Sequence, residues 1–301
     1  DSSYSISGYD TSTQSLTSSV CEYIYSNGRR YHAYFGEEKN PMPTDEAEKD
    51  RLDLHHEILL HILDGKLHLA PIEEPQRILD IGTGTGIWAI DMADMYPMAE
   101  VIGTDLSPIQ PKWCPPNCKF EIDDAEQEWT YASNSFDFIH SRNLAQSIGD
   151  WPKLLAQIYR CTKPGGYIEL AELGGDLRSD DNTLGANNAM KLAYDLVHYK
   201  AMASIGRPPA TAESLHALLT AAGFVDIEVS TYKQVIGPWA KDKKMKQIGA
   251  MTLLMCETGV EAYTLFALTR FLGMETGEVK RICEDALKTA RDRKVHMYSL
   301  L

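Results

Sequence analysis

No run of this 301-residue chain is apolar for long enough to cross a bilayer, and no charged-then-apolar leader opens it. That argues against a membrane-spanning class, and the expected location is the cytoplasm, with the nucleus also open. Positive charge is scarce: 29 Lys and Arg stand against 43 Asp and Glu, a formal net charge of −14. Non-specific nucleic-acid binding needs a positive surface to displace counterions, so no nucleic-acid partner is expected. The one basic run, Lys241, Lys243, Lys244 and Lys246, encloses Asp242 and reads as a solvated helix face. Cysteine is sparse too, at six residues, too few for a disulfide scaffold. Cys114 and Cys118 lack a second Cys or His pair at zinc spacing. His55, His56, His61 and His68 look like a cluster, but the intervals of six and seven along it miss the one-turn pairing of helical metal sites. No metal is expected.

What remains is ordinary globular material, 44% hydrophobic and 24% charged. Residues 1–20 are rich in Ser and Thr and read as a flexible tail. Residues 21–70 read as an N-terminal helical cap segment, with a helix from Thr44 as N-cap to Gly65. From residue 71 the pattern alternates. Strands are expected at 77–81, 100–104, 118–122, 136–140 and 167–171, with helices at 86–95 and 151–162 between them. Helix 211–222, strand 224–231 and strand 295–300 follow. This is an α/β pattern, a doubly wound parallel sheet with helices on both faces. Helical insertions at 182–206 and 239–293, the second broken at Gly259, Gly273 and Gly277, are expected to form a lid over the sheet edge together with the N-terminal helix. The chain opens on Asp1 and stops at the last expected strand, so residues are expected beyond both ends.

The densest signal is Arg77-Ile78-Leu79-Asp80-Ile81-Gly82-Thr83-Gly84-Thr85-Gly86, followed by a helical pattern from Ile87. Strand, glycine turn and helix start bring backbone against a nucleotide-like ligand. A dinucleotide fingerprint wants a second gap of two and a small third residue; here the gap is one, and position 87 is Ile. No Gly-Lys-Ser/Thr follows, so a phosphate loop is excluded as well. An acid ahead of the glycines repels phosphate and suits a cationic amine. S-adenosylmethionine carries an ammonium, a sulfonium and an adenosine, and no phosphate.

Asp80 therefore reads as the acceptor for the cofactor ammonium or for loop amides, and Thr83 as a residue that satisfies the loop backbone. Asp105, 25 positions on, ends the second expected strand, where an acid takes both ribose hydroxyls. Asp123, Asp124 and Ala125 end the third. Of the two acids Asp124 is preferred for the adenine amino group, because Ala125 follows it. His140 and Ser141 end the fourth. His140 is the candidate catalytic residue, able to orient or deprotonate an acceptor, with a satisfied core histidine as the alternative. Ser141 is placed to touch the methionine part. Of Glu169 and Glu172, Glu172 is the better pocket candidate.

Together these landmarks resemble class I S-adenosylmethionine-dependent methyltransferases, and more narrowly the fungal LaeA-like group of secondary-metabolism regulators and tailoring enzymes. The resemblance rests on Asn27 to His32, Asp50 to His56, Asp64 to Leu67, Leu79 to Trp88, Val101 to Pro111, Asp123 to Glu126, Asp150-Trp151 and Lys163 to Gly166. It implies a seven-stranded sheet in the order 3-2-1-4-5-7-6 with the last strand antiparallel. It implies cofactor roles for Asp80, Gly82, Gly84, Gly86, Asp105 and Asp124; Leu106, inside one of the matching runs, joins them. The expected reaction is methyl transfer to a hydroxyl or carboxyl of a small-molecule substrate. Two alternatives stay open: a cofactor-loaded regulator acting through protein partners, and an enzyme using the sulfonium without methylating.

Overall fold

The computed structural model describes residues 23–33, 35 and 42–301; the expected tail at 1–20 lies outside the described residues. The chain enters through a hairpin, not a helix. β1 (Tyr23–Ser26) and β2 (Arg29–His32) pair antiparallel. Asn27 and Gly28 turn it with φ of 51° and 78°. Two left-handed residues are what a two-residue hairpin turn demands, and Asn-Gly supplies them. That dipeptide corrects the expectation of a helical segment here. Helix α1 (Glu46–Ile62) follows, capped by Asp45 and not by Thr44. Asp45 accepts from Glu48 N and also takes Arg29 Nε at 2.6 Å and Nη2 at 2.8 Å, which fastens the hairpin to the helix start.

The central layer is built from β3 (Arg77–Ile81), β4 (Glu100–Asp105), β5 (Cys118–Ile122), β6 (Phe136–Arg142) and β7 (Thr162–Ala171). They pair in the order β5-β4-β3-β6-β7, all parallel. This is the expected 3-2-1-4-5 part of the sheet. β3 is sequestered on both faces, and alternation decides what each face does. Leu79 and Ile81 join Ile139, Leu154 and Ile158 in one core. Ile78 joins Trp88, Met92 and Phe138 on the other face. Asp80 shares that second face, beside His140 across the β3–β6 ladder. Helices α2 (Ile87–Met95) and α3 (Trp151–Cys161) provide the flanking layers. β7 begins earlier than expected, because Pro164-Gly165-Gly166 bulges within the strand instead of preceding it: the register shifts between Phe136 and Phe138.

The second half departs from the expectation. Residues 224–231 form no strand. Val225 is 80% exposed and Val229 54%, so the apolar face of the segment is left uncovered, and Asp226 breaks it with φ of 53°. Instead β8 (Lys233–Ile236) and β9 (Met297–Leu300) pair antiparallel as a separate two-stranded sheet, so the central sheet has five strands, not seven. In the first insertion α4 (Ala189–Asp195) runs through a π-helical turn (Leu196–Ala201) into α5 (Met202–Ser204), and α6 (Ala212–Ala222) follows. The second insertion is α7 (Lys243–Leu272) and α8 (Thr276–Ala290). The break falls at Gly273, in the left-handed region, while α7 runs straight through Gly259. Helix α7 lies against α1, and the pair forms a cover above the C-terminal ends of β3 and β4.

Candidate active site

The β3–α2 turn sets the floor of a cavity. Gly82 and Gly86 have φ of 67° and 81°. A Cβ on Gly82 would lie 2.4 Å from Leu144 Cδ2, and one on Gly86 2.4 Å from Phe120 Cζ. Conformation and space both demand glycine there. A Cβ on Gly84 would meet only Leu52 Cδ1, at 3.5 Å, so this peptide faces open cavity. Of the twelve residues given a cofactor or catalytic role from the sequence, ten line this one cavity. Gly86 instead caps α2, and Ser141 is buried behind the wall with its hydroxyl unpartnered.

Asp80 is 3% exposed and held from two sides: Thr83 Oγ1 donates to Oδ2 at 2.6 Å, and His140 Nδ1 lies 2.7 Å from Oδ1. The His140 ring in turn stacks on Trp88, with centroids 3.7 Å apart and planes 7° apart. Asp105 accepts from Gly84 N at 2.8 Å and Ser107 N at 2.9 Å, tying the second strand end to the glycine turn. Burial pushes its carboxyl up to about 6, against the pull of those two amides. Asp124 spends its oxygens on its own turn, accepting from Glu126 N and Gln127 Nε2. Among the described residues Asp123 accepts only from Asp124 N, through Oδ1, and burial raises its carboxyl above the ordinary range. Glu172 does not line the cavity. Its carboxylate accepts from Leu144 N and Ala145 N, fixing the loop that does, and burial pushes it up to about 7. Glu169 holds Leu69 N and Ala70 N in the same way.

Sequence reasoning expected the N-terminal helix and the second insertion to roof the pocket but assigned none of their residues to the site. Arg51, Leu52 and His55 descend from α1 and Tyr263 from α7. Arg51 and Glu48 are 3% and 2% exposed and share three hydrogen bonds, the shortest 2.7 Å. Burial lowers the pKa of Arg51, but Tyr263 and Glu48 outweigh it and hold the guanidinium charged. Its Cζ sits 5.1 Å from the Tyr263 ring centroid. Gly259 makes room for this side chain: a Cβ there would press on Arg51 Cδ at 3.2 Å. The one available sequence signal was Glu48 and Arg51 at helical i, i+3 spacing. His55 meets Gln234 Oε1 and Asn143 Nδ2, both at 3.3 Å, and burial with Arg51 and Arg142 pushes it down to about 3, so it is neutral. Thr85 Oγ1 donates to Asp53 Oδ1 at 2.6 Å, which stitches α1 to the glycine turn.

The lining carries six carboxylates (Glu48, Asp80, Asp105, Asp123, Asp124, Glu126) against two guanidiniums (Arg51, Arg142) and no lysine. That balance disfavours a phosphate and favours a cation. The floor offers a glycine cradle, and Asn143 Oδ1 stands buried and unpartnered on the wall. An adenosyl group with an ammonium and a sulfonium fits these donors and acceptors.

The sequence pattern of the methyltransferase domain matches residues 54–229. The chain is 40% identical to methyltransferase pytC of Aspergillus terreus over 290 residues, covering 95% of this chain and 88% of that one. It is also 40% identical to the secondary metabolism regulator LAE1 of Cochliobolus heterostrophus, covering 91% of each. With the secondary metabolism regulator laeA of Aspergillus fumigatus the identity is 34%, over 91% of this chain and 74% of the relative. The glycine turn, the acid-lined cavity and these matches carry one conclusion: the chain belongs to the methyltransferase-domain family, as an S-adenosylmethionine-dependent methyltransferase.

Proposed function

We propose that the acceptor is a small secondary metabolite methylated on a hydroxyl or, preferentially, a carboxyl oxygen. The observation that supports this reading is the lining: Arg51, Leu52, His55 and Tyr263 share one concave cavity with the glycine turn, a shape suited to a small molecule. The names of the relatives, a methyltransferase and regulators of secondary metabolism, agree with it.

S-adenosylmethionine, when bound, supplies an electrophilic methyl carbon. The chain's residues do the rest. Asp80, fixed by Thr83 and His140, receives the ammonium. Asp105 receives the ribose hydroxyls, with Leu106 beside it, and Asp123, whose second oxygen is taken by no group among the described residues, is assigned the adenine amino group ahead of Asp124. His140 is 2% exposed, with Nδ1 on Asp80 and its face on Trp88, which supports a positioning role. His55 is held neutral and paired, too weak a base for an alcohol. An acceptor already ionised at neutral pH needs no base, hence the preference for a carboxyl.

The experiment is incubation of the chain with methyl-labelled cofactor and a panel of hydroxylated and carboxylated metabolites, reading S-adenosylhomocysteine and labelled product. Labelled ester or ether supports the reading. A second reading, a cofactor-loaded regulator with protein partners, is favoured by the 40% identity to LAE1. Cofactor binding without turnover on any metabolite, with label entering protein or a partner co-purifying, selects it. Altered product without label selects a non-methylating enzyme.

A further inference from the structure

The two arginines of the cavity live differently. Arg51 has its carboxylate partner, Glu48, at 2.7 Å. Arg142 has none: among the described residues no carboxylate lies within ion-pair distance of it. Its Nη1 and Nη2 both donate to His56 Nδ1, at 3.2 and 3.3 Å. Two incoming donors leave that nitrogen as an acceptor, so the His56 proton sits on Nε2, 2.9 Å from Asp91 Oδ2. The balancing charge of Arg142 is thus one imidazole away, on a partly exposed carboxylate. The guanidinium is largely buried, and that desolvation lowers its pKa although Asp80 and Asp91 oppose the fall. A charge taken out of water without a direct partner is costly, and the cost is relieved when a ligand brings the counter-charge.

Position says where that ligand sits. Arg142 follows His140 by two along β6, so both side chains leave the same face of the strand, and His140 touches Asp80. Next to Arg142 is Asn143, held at φ of 56° with its Oδ1 buried and unpartnered. A cationic donor and a bare acceptor therefore line the same cavity as Asp80 near the end of β3.

We propose that Arg142, braced by His56 and Asp91, is a carboxylate-binding subsite of this cavity, with Asn143 accepting from the donor group that accompanies the acid. Two sources offer that chemistry: the α-carboxylate of the cofactor's own amino-acid end, and an acidic acceptor. The inference rests on the proposed reading of the cavity as a cofactor and acceptor chamber. Arg142 binds and orients; no bond forms or breaks at it.

The test compares wild type, Arg142→Gln and Arg142→Lys by calorimetry with three probes. S-adenosylhomocysteine carries the amino-acid end, 5′-methylthioadenosine lacks it, and benzoate is titrated into protein saturated with S-adenosylhomocysteine. If the cofactor supplies the acid, Arg142→Gln weakens S-adenosylhomocysteine about 10-fold or more and leaves 5′-methylthioadenosine unchanged, as expected for a lost charged hydrogen bond. If the acceptor supplies it, S-adenosylhomocysteine is unchanged and benzoate binding to wild type disappears in Arg142→Gln. Arg142→Lys keeps part of the affinity in either case. Retained 5′-methylthioadenosine binding also shows that the variant is folded. Equal binding of all three probes by wild type and Arg142→Gln overturns the inference alone. An equal loss of both nucleosides overturns it as well, because the effect then does not follow the carboxylate. Wild-type protein that binds neither nucleoside overturns the reading of the cavity, and the inference with it.

Discussion

The floor and the cover of the cavity are built by opposite strategies. The floor is local: Asp80, the three glycines, Asp105 and Asp123 come from the ends of neighbouring strands, and each is placed by backbone it is covalently close to. The cover is assembled from afar. Arg51 lies about two hundred positions before Tyr263, which it meets, and Gly259 is there so that the two can meet. On the proposed function the floor holds the cofactor, and the cover faces the acceptor.

Breaking one region should leave the other readable. The largest effect expected is Glu48→Ala, which strands the buried Arg51 charge; removing one partner of such a pair costs about 3–5 kcal/mol. Thermal or denaturant unfolding measures it, and a loss below about 1 kcal/mol means that Arg51 finds water. Next is Gly86→Ala, which combines an unfavourable φ with a clash on the Phe120 ring. The left-handed region alone costs about 1–2 kcal/mol, and cofactor affinity should fall with stability. Asp105→Ala strands ligand hydroxyls and is expected to weaken cofactor binding by about 1–3 kcal/mol, with the fold retained.

The same carboxyl gives a pH signature. Its pKa is about 6 in the folded chain, above the ordinary carboxylate value, so the proton is bound more tightly in the folded state than in the unfolded one. It therefore adds stability below about pH 4 that is lost as pH rises through 6. Cofactor affinity is expected to run the other way: in its proposed role the ionised carboxylate accepts from both ribose hydroxyls, so affinity should rise from pH 5 to 7 and level off. Asp105→Asn should flatten both slopes, as measured by unfolding and calorimetry across that range. The smallest effect is Thr85→Val, which cuts the stitch from α1 to the floor at Asp53 and should cost about 1 kcal/mol. If it costs nothing, floor and cover are mechanically independent.

This contrast also explains what the sequence made legible. Asp80, Gly82 and Asp105 announce themselves because their spacing along the chain is their spacing in space. The five parallel strands are visible because turn residues and helical stretches separate them along the chain. The hairpin at 23–32 was written in Asn27-Gly28 yet passed over, since its strands are only four residues each. Strand 224–231 was expected after the helix that ends at Gly223, but an apolar stretch becomes a strand only where something covers its face, and Val225 and Val229 stay exposed. Gly259 read as a helix breaker; inside a 30-residue helix packed on α1 it is a notch for a side chain. Arg142 and Asn143 were unmarked, because an unpaired charge is visible only once its neighbours are known.

The most direct test of the central claim, that the acid-lined crevice beyond Asp80 accepts an adenosyl sulfonium, is a titration of the wild-type chain with S-adenosylmethionine, ATP and NAD in parallel. The account predicts one saturable site per chain for S-adenosylmethionine and no measurable heat for the two phosphate-bearing nucleotides. Saturable binding of ATP or NAD with none of S-adenosylmethionine would contradict it.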